Sequence, residues 1–254
     1  DRGRVFVTGQ QAIIRLMMIQ RKIDEKAGLN TGGFISGYRG SPMTAIDIEL
    51  WRAGEKTLEE HHVKFWPGLN ENMAMTAVWG TQKVGFKDDA KYDGVYSMWY
   101  GKGPGLDQTI DGLRQATLHG TTKHGGVLVL CGDDPDMTST TDPYHSELLF
   151  EDLLMPVLYP ADIQDVFDLG IYGIALSRFC GSFVGYKLIP ETIETSASID
   201  GDYNRIKISY PKFIFPKDGV NARRLNDIYD MDKRARKYKL PAALAFARAN
   251  NLNR

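Results

Sequence analysis

The stretch GGVLVLCG, residues 125 to 132, is the clearest buried strand in the chain. Its central residues are apolar without alternation, which is typical of a strand in a parallel sheet that is covered on both faces. Directly after it the sequence changes to GDDPDMTSTTDPYHSE (132–147), which is rich in acidic and hydroxyl residues. A buried strand followed by a polar loop predicts an α/β protein with its ligand loops at the carboxyl ends of the strands.

Strand-length apolar runs alternate with helix-period segments on both sides of this strand. An apolar stripe at helical spacing predicts a helix over residues 9–27, ended by Gly28. Further strands are predicted at 5–7, 32–38, 63–66, 94–100, 155–160 and 181–188, and further helices after Pro42, after Asn70, at 107–119 and at 162–177. The alternation predicts an α/β fold with a doubly wound, mostly parallel sheet and helices on both faces.

Four glycine-rich or polar segments follow predicted strands. They are GYRGSP (37–42), PGLNEN (67–72), YGKGPGLDQ (100–108) and the acidic segment 132–147. Sheets of this kind bind ligands in the crevice outside the carboxyl ends of their strands. We therefore expect these four segments to gather along one edge of the sheet and to form a site.

The composition is that of an ordinary globular protein, with 43% hydrophobic residues and a formal net charge of -1 over 254 residues. The balanced charge gives no indication of a nucleic-acid partner, and no apolar run has the length of a membrane span. Cys131 and Cys180 form no CxxC motif and supply too few thiolates for an iron–sulfur cluster or a structural zinc. They favour a reducing, cytoplasmic setting.

The alternation of strands and helices weakens after residue 200, which divides the chain into two predicted parts. Residues 1–200 form the main α/β domain, and residues 201–254 form an edge strand and a helical tail. The edge strand is predicted at 205–215, where Pro211 argues against a central position, and the helical tail at 221–251. The chain begins at Asp1 without Met, and we expect it to be a piece of a longer protein.

Glu71 is the candidate catalytic residue. It falls in the first turn of a helix that is otherwise apolar, directly after the N-cap residue Asn70. One interpretation is favourable contact with the helix dipole, and the other is a carboxylate that faces a ligand. Arg39 has a similar pair of interpretations, because it suits carboxylate or phosphate recognition but could equally pair with a nearby aspartate.

The glycines at 101, 103 and 105 give a GxGxG pattern between a strand and a helix. The dinucleotide fingerprint needs GxGxxG and an acidic residue about 20 positions on, so a Rossmann-type NAD site is disfavoured. Close approach of the backbone to a ligand and a plain turn remain equal alternatives. The acidic segment has no EF-hand spacing, no HxxxH pattern accompanies it, and no metal site is predicted.

Several long motifs, in order, are similar to the N-terminal part of the fused indolepyruvate ferredoxin oxidoreductases, a group within the thiamine-diphosphate-dependent 2-oxoacid:ferredoxin oxidoreductases. The motifs are GFISGYRGSP, LWRA, PGLNEN with TAVWGTQ, KYDGV with MWYGKGPG, GGVLVLCGDDP with ST…P…SE, and KYK with AALAFARAN. The resemblance covers essentially all 254 residues. It implies that residues 1–200 are a pyrimidine-binding (PYR) domain.

The resemblance also implies roles for particular residues. Glu71 matches the glutamate that hydrogen-bonds N1′ of the cofactor's aminopyrimidine and thereby promotes loss of the thiazolium proton. The other matches to the family's motifs give cofactor-binding positions at Ser41, Pro42, Asn70, Gly103 and Gly105, and substrate positions at Arg39, Ser41 and His145. His145 replaces the glutamine that is usual at its position, and Met137 and Thr138 also depart from the pattern.

The resemblance further implies an activity with several partners. It is the oxidative decarboxylation of an aryl 2-oxo acid to an acyl-CoA, with electrons passed through [4Fe-4S] clusters to ferredoxin. The clusters, Mg2+ and the grip on the diphosphate are expected in other domains or subunits, and the complete enzyme is expected to be a homo-oligomer. This chain alone is expected to be inactive. The alternatives are a non-catalytic assembly module of such a complex and a nucleotide-binding Rossmann module.

Overall fold

A computed structural model describes residues 3–138, 140, 142–224 and 227–253 of the chain. The strands are β1 (Arg4–Thr8), β2 (Thr31–Gly37), β3 (Val63–Phe65), β4 (Gly94–Lys102), β5 (Val127–Gly132), β6 (Val157–Leu158), β7 (Val184–Leu188) and β8 (Ser196–Asp200). Within these residues, β2 to β7 form one six-stranded sheet in the order β3–β2–β4–β5–β7–β6. Every pair in that sheet is parallel.

Helices cover both faces of this sheet. Their bounds are α1 (Gly9–Lys26), α2 (Ala45–Ala53), α3 (Glu55–Glu60), α4 (Glu71–Thr81), α5 (Gly103–Gln108), α6 (Ile110–His119), α7 (Glu147–Asp152), α8 (Ile163–Cys180), α9 (Pro190–Ile193), α10 (Ile228–Arg234) and α11 (Leu240–Ala249). One core cluster joins the sheet to α1, α2, α8 and α11, and a second joins it to α4, α5, α6 and α7. The doubly wound α/β fold predicted from the sequence is therefore confirmed.

Strand β4 shows how one apolar run serves both faces. Tyr96, Met98 and Tyr100 belong to the first core cluster, whereas Trp99 belongs to the second. Successive side chains of a strand point to opposite faces, so a central strand buries side chains in both directions and is mostly apolar. All four side chains are fully buried. The largely apolar pattern that predicted buried strands has this physical origin.

Three local expectations were wrong. β1, which covers the predicted strand at 5–7, does not join the parallel series; it pairs antiparallel with β8 in a separate two-stranded ribbon. The helix predicted at 107–119 is two helices, α5 and α6, which meet at Thr109. No strand is present at 205–215: a 3-10 turn, Tyr203–Arg205, is followed by an irregular chain.

The side chain of Asn250 holds the irregular segment at 205–215 through the backbone of Ser209. The amide oxygen of Asn250 accepts from the Ser209 N–H at 2.7 Å, and its nitrogen donates to the Ser209 carbonyl at 2.8 Å. These bonds satisfy backbone groups that a neighbouring strand would otherwise pair. Phe213 and Phe215 pack against the first core cluster, with the rings of Phe179 and Phe215 at a centroid distance of 5.3 Å.

The predicted helical tail is present as α10, a π-helical turn at Ala235–Lys239, and α11. Leu225 and Asn226, which the prediction of a tail at 221–251 includes, lie outside the described residues. The tail packs on the main domain, because Ala242, Ala243 and Phe246 belong to the first core cluster together with α8. Among the described residues, no helix has the length and apolar character needed to cross a bilayer.

Candidate functional site

The four segments expected at one edge of the sheet do meet there. Gly68 donates its backbone N–H to the Gly37 carbonyl at 2.9 Å, which ties segment 67–72 to segment 37–42. Tyr38 donates to the Tyr100 carbonyl at 3.1 Å, and the Tyr144 hydroxyl donates to Asp107 at 2.8 Å. These bonds join the segments at the carboxyl ends of β2, β3, β4 and β5. Ser139 and Thr141 of the acidic segment lie outside the described residues.

Glu71 is the first residue of α4 and is only 7% exposed. Its backbone carbonyl accepts the indole N–H of Trp99 at 3.1 Å, which fixes the start of the helix against β4. Within the described part of the chain, no side chain or backbone N–H donates a hydrogen bond to its carboxylate. Neither carboxylate oxygen is among the fully buried side-chain atoms that lack a partner, so the carboxylate end of this largely buried side chain still reaches the surface of the edge. An unpartnered carboxylate at this position therefore suits a ligand that donates a hydrogen bond.

Asn70 holds this helix end in place. Its side-chain oxygen accepts the backbone N–H of Met73 at 2.8 Å, the standard arrangement of an N-cap. Because the amide oxygen is engaged in the cap, the observed contact of Asn70 is with the helix that carries Glu71. The predicted cofactor contact of this residue remains a prediction.

Glycine at position 105 makes room for the Glu71 side chain. A Cβ atom on Gly105 would lie 2.7 Å from both the Cγ and Oε1 atoms of Glu71. Two residues earlier, a Cβ atom on Gly103 would lie 2.1 Å from the ring of Tyr144. The glycines of the GxGxG pattern thus permit close packing of β4 and α5 against α4 and the acidic segment. The close approach observed at these two positions is to side chains of the chain itself, and approach to a ligand remains a prediction.

Ser41 and Pro42 lie between β2 and α2, joined by a cis peptide bond. Pro42 is buried, and a Cβ atom on Gly132 at the end of β5 would lie 2.9 Å from its Cδ atom. Burial and then the charge of Asp134 raise the pKa of Glu194, and the nearby Ser41 hydroxyl opposes that rise. Glu194 follows β7, so a fifth strand exit contributes to the edge.

Arg39 is exposed at the same edge, and its closest electrostatic partners are buried. Burial raises the pKa of Asp47, while a hydrogen bond from Tyr100 and the charge of Arg39 oppose that rise. Burial and the bond to Asp47 also raise the pKa of the Tyr100 hydroxyl. Arg39 is thus exposed at this edge with the carboxyl group of Asp47 within electrostatic range, and both interpretations of Arg39 remain predictions.

Two buried aspartates organise the acidic segment. Asp133 accepts the backbone N–H and the hydroxyl of Ser146 at 2.8 and 2.9 Å, and lies 3.4 Å from the Lys187 ammonium. Asp134 accepts the backbone N–H and hydroxyl of Thr138, both at 2.9 Å. These bonds shape the loop from within, as capped acidic loops generally do. Among the described residues, no group of three His, Cys, Asp or Glu is arranged to hold a metal ion.

His145 is exposed on this loop, between Tyr144 and the anchored Ser146. Its neighbour Glu147 forms an ion pair with Lys187. Burial raises the pKa of Glu147, but the hydrogen bond and charge of Lys187 outweigh it and hold the pKa below its ordinary value. His145 therefore lies on a loop that Ser146 and Glu147 anchor, at the same edge as Glu71.

Sequence reasoning missed three contributors to the edge: Trp99, Tyr144 and Glu194. Trp99 and Tyr144 lie inside segments already singled out, but only the folded chain shows that one holds the Glu71 carbonyl and the other covers Gly103. Glu194 follows β7 in a segment that carried no motif. A fourth contributor, Lys102 at the end of β4, also borders the site, since its side chain packs on Gly40.

The fold and this geometry together describe a parallel α/β domain whose glycine-rich and polar segments gather at the carboxyl edge of its sheet, beside the unpartnered carboxylate of Glu71. The comparisons agree with that class. Over 202 residues the chain is 28% identical to "Indolepyruvate oxidoreductase subunit IorA" of Pyrococcus horikoshii, and equally to the Pyrococcus abyssi protein of the same name. These alignments cover 78% of this chain and 26% of each relative, so the chain spans about a quarter of their length.

Among solved structures, the chain is similar to "2-oxoglutarate:ferredoxin oxidoreductase from Magnetococcus marinus with 2-oxoglutarate, coenzyme A and succinyl-CoA bound". The TM-score is 0.63 at 18% identity, and the match covers 96% of this chain and 46% of the other. At that identity the likeness shows the fold. No family model matches the chain. The sequence relatives thus confirm the predicted resemblance, and the solved structure confirms the fold.

Proposed function

We propose that this chain is the pyrimidine-binding portion of a thiamine-diphosphate-dependent 2-oxoacid:ferredoxin oxidoreductase. The observation that carries the proposal is the Glu71 carboxylate, which is 7% exposed, begins α4 and receives no hydrogen bond from the described residues. An assembly module with no catalytic role has no use for a carboxylate that is held in a largely buried side chain without a hydrogen-bond partner.

The residues at the edge fit the aminopyrimidine of thiamine diphosphate. A carboxylate can accept a hydrogen bond from a protonated ring nitrogen, and the missing Cβ of Gly105 leaves space beside that carboxylate. Glu71 would hold the proton at N1′, with Gly103 and Gly105 beside the ring and Asn70 keeping the helix start in place. Ser41 and Pro42 would border the reactive part of the cofactor. When bound, thiamine diphosphate supplies a carbon nucleophile and an electron sink for decarboxylation.

The complete reaction requires more than this chain. We assign to other domains or subunits the diphosphate grip, Mg2+, the [4Fe-4S] clusters and the contacts with coenzyme A and ferredoxin, in a homo-oligomeric enzyme. Exposed apolar side chains at the edge support a covering partner: Leu69 is 78% exposed and Leu148 is 75% exposed. Residues 1–200 would be the PYR domain, with residues 201–254 leading to the next domain.

The proposed substrate is an aryl 2-oxo acid of the indolepyruvate type, and the product is an acyl-CoA. The name of the Pyrococcus relatives supports this choice. We assign the contacts with the substrate carboxylate and keto group to Arg39, Ser41 and His145; the exposure of Arg39 and His145 and the half-buried position of Ser41 at this edge support the assignment. The positive charge of Arg39 would attract the carboxylate even with Asp47 nearby, because Asp47 is buried.

The test is anaerobic reduction of a viologen dye by the complete enzyme with indolepyruvate, coenzyme A, Mg2+ and thiamine diphosphate. Wild type is compared with Glu71→Gln, which keeps the size of the side chain and removes the charge. Glu60→Gln is the matched control, because Glu60 is an exposed residue of α3. We expect at least a hundredfold loss of kcat in Glu71→Gln, the magnitude of a lost acid–base contribution, and no change in Glu60→Gln.

The outcomes separate the alternatives. Activity that survives in Glu71→Gln would leave the reaction standing but remove the role of Glu71. Absence of activity in wild type with every 2-oxo acid tried would favour the non-catalytic assembly module. Binding of NAD(P) at the carboxyl edge would favour the Rossmann module instead.

A further inference from the structure

A second cavity lies at the edge of the sheet opposite to Glu71. α4 begins at the carboxyl edge and ends at Thr81, and the segment 83–92 that follows leads to the start of β4. This segment and Arg224 line a cavity of about 520 Å³. The volume is within the range of small-molecule sites in proteins, roughly 300–1,000 Å³. None of the proposed catalytic residues lines it.

The cavity has an excess of positive charge. Its described lining contains Lys83, Lys87, Lys91 and Arg224 but only one carboxylate, Asp89. None of these four cations forms an ion pair with a described carboxylate. The Lys83 ammonium instead lies 4.6 Å from the ring centroid of Trp79, outside the lining. Lysine ammonium groups are compact charges that suit phosphate, so an anionic ligand would relieve their mutual repulsion.

The cavity also has an aromatic wall that is held in position. Tyr92 and Phe86 line it, and both are half-buried. The Tyr92 hydroxyl is 3.1 Å from His62 Nδ1, and the two rings are 5.8 Å apart at an angle of 76°. On β2, a Cβ atom on Gly32 would lie 3.0 Å from the Tyr92 ring, so the ring rests directly on the strand. A supported aromatic ring is a suitable surface for a planar base.

We propose that this cavity binds a nucleotide with at least two phosphate groups. The base would lie against Tyr92 and Phe86, and the phosphates would be held by Lys83, Lys87 and Lys91. A solvated basic surface would need neither an aromatic wall nor a concave shape. The ligand class follows from the combination of several cations, a fixed aromatic ring and a volume sufficient for a base with its phosphates.

The first measurement is calorimetric titration of the complete enzyme with ADP, at low ionic strength because phosphate contacts weaken with salt. The double variant Lys87→Glu/Lys91→Glu is compared with Lys212→Glu, an exposed lysine of the irregular segment after β8. We expect one ADP site whose affinity falls at least tenfold in the double variant and is unchanged in Lys212→Glu. Pyrophosphate and adenosine, titrated separately, should each bind at least tenfold more weakly than ADP.

Calorimetry would also record nucleotide binding at other sites of the enzyme. Photolabelling with 8-azido-ADP is therefore used to locate the site. Peptides that contain residues 83–92 should carry the label in wild type and lose it in the double variant. The proposal is overturned if the label appears only on other peptides, or if the double variant binds ADP like wild type. It is also overturned if pyrophosphate binds as tightly as ADP, which would mean that the base is not recognised. Thermal unfolding of both variants should match wild type, since all three lysines are exposed.

Discussion

The space beside the Glu71 carboxylate depends on one glycine. A Cβ atom at Gly105 would lie 2.7 Å from Glu71 Oε1, and the side chain of Glu71 is the part able to move. The substitution Gly105→Ala should therefore displace the carboxylate rather than unfold the protein. We expect enzyme activity and thiamine diphosphate affinity each to fall at least tenfold. The free energy of unfolding should change by less than about 1 kcal/mol, because alanine itself favours a helix by a similar amount.

A second glycine supplies the control for that substitution. Gly80 lies inside α4, and nothing is within 4 Å of a Cβ atom built there. Gly80→Ala should leave activity unchanged and raise stability by about 0.5–1 kcal/mol. Equal activity in Gly105→Ala and wild type would show that the position of the Glu71 carboxylate is not critical.

At the scale of elements, a buried lysine joins the helical tail to α6. Lys239, at the end of the π-helical turn, donates to the carbonyls of Thr117 and Leu118 at 3.3 and 3.0 Å. These carbonyls belong to the last turn of α6, where a positive charge is favourable. Burial nevertheless lowers the pKa of Lys239 from 10.5 to about 8. The tail is therefore coupled to the main domain through a group that titrates above neutral pH.

This coupling predicts how stability depends on pH. Between about pH 8 and 10.5 the unfolded chain still binds the lysine proton that the folded chain has released, so the free energy of unfolding rises with pH. The slope for one proton is at most about 1.4 kcal/mol per pH unit. In urea unfolding at pH 7, 8, 9 and 10, the free energy of unfolding of wild type relative to that of Lys239→Met should rise only above pH 8.

Lys237 tests whether that difference belongs to the buried ammonium. It lies two positions away on the same turn and is exposed. Lys237→Met should follow the wild-type profile at every pH. Parallel profiles for wild type and Lys239→Met would contradict the assignment of a lowered pKa to this lysine.

At the scale of the whole molecule, the elements predicted from the sequence are those whose signal is local. β2, β4, β5 and β7 are buried at nearly every position because both faces of the sheet are covered, and their content of apolar residues and glycine is visible without the structure. The N-cap Asn70 and the following Glu71 are likewise read from adjacent residues. The likeness to relatives rests on several such local motifs in order.

What could not be predicted depends on partners far away in the chain. β1 pairs with β8 across more than 180 positions, so nothing near Val5–Val7 indicates its antiparallel partner. The segment at 205–215 has strand-like composition, but Asn250 binds its backbone. The meeting of Gly105 with the Glu71 carboxylate is also nonlocal. For such contacts, residue patterns state which groups are available but not which groups meet.

One buried ion pair connects distant parts of the molecule. Arg178 on α8 binds Asp24 on α1 through two bonds of 2.6 and 2.7 Å, and Asp24 is 1% exposed. Asp24 also accepts from Gln20 at 3.0 Å and from the Thr31 hydroxyl at the start of β2 at 2.6 Å. Arg178 further donates to the Gly125 carbonyl just before β5 at 2.8 Å. Two helices and the amino edges of two strands therefore depend on this pair.

Removing one partner should destabilise the whole domain more than removing both. Arg178→Met leaves the Asp24 carboxylate buried without its cation, and we expect the free energy of unfolding to fall by about 3–5 kcal/mol. The double variant Asp24→Leu/Arg178→Met should lose clearly less than the sum of the two single losses, because no uncompensated charge remains. Arg52→Met, which breaks an ion pair between Glu49 and a largely exposed arginine, should cost less than about 1 kcal/mol. Urea unfolding measures all four variants, and additive losses at Asp24 and Arg178 would show that each residue stabilises the fold through its other contacts rather than through the pair.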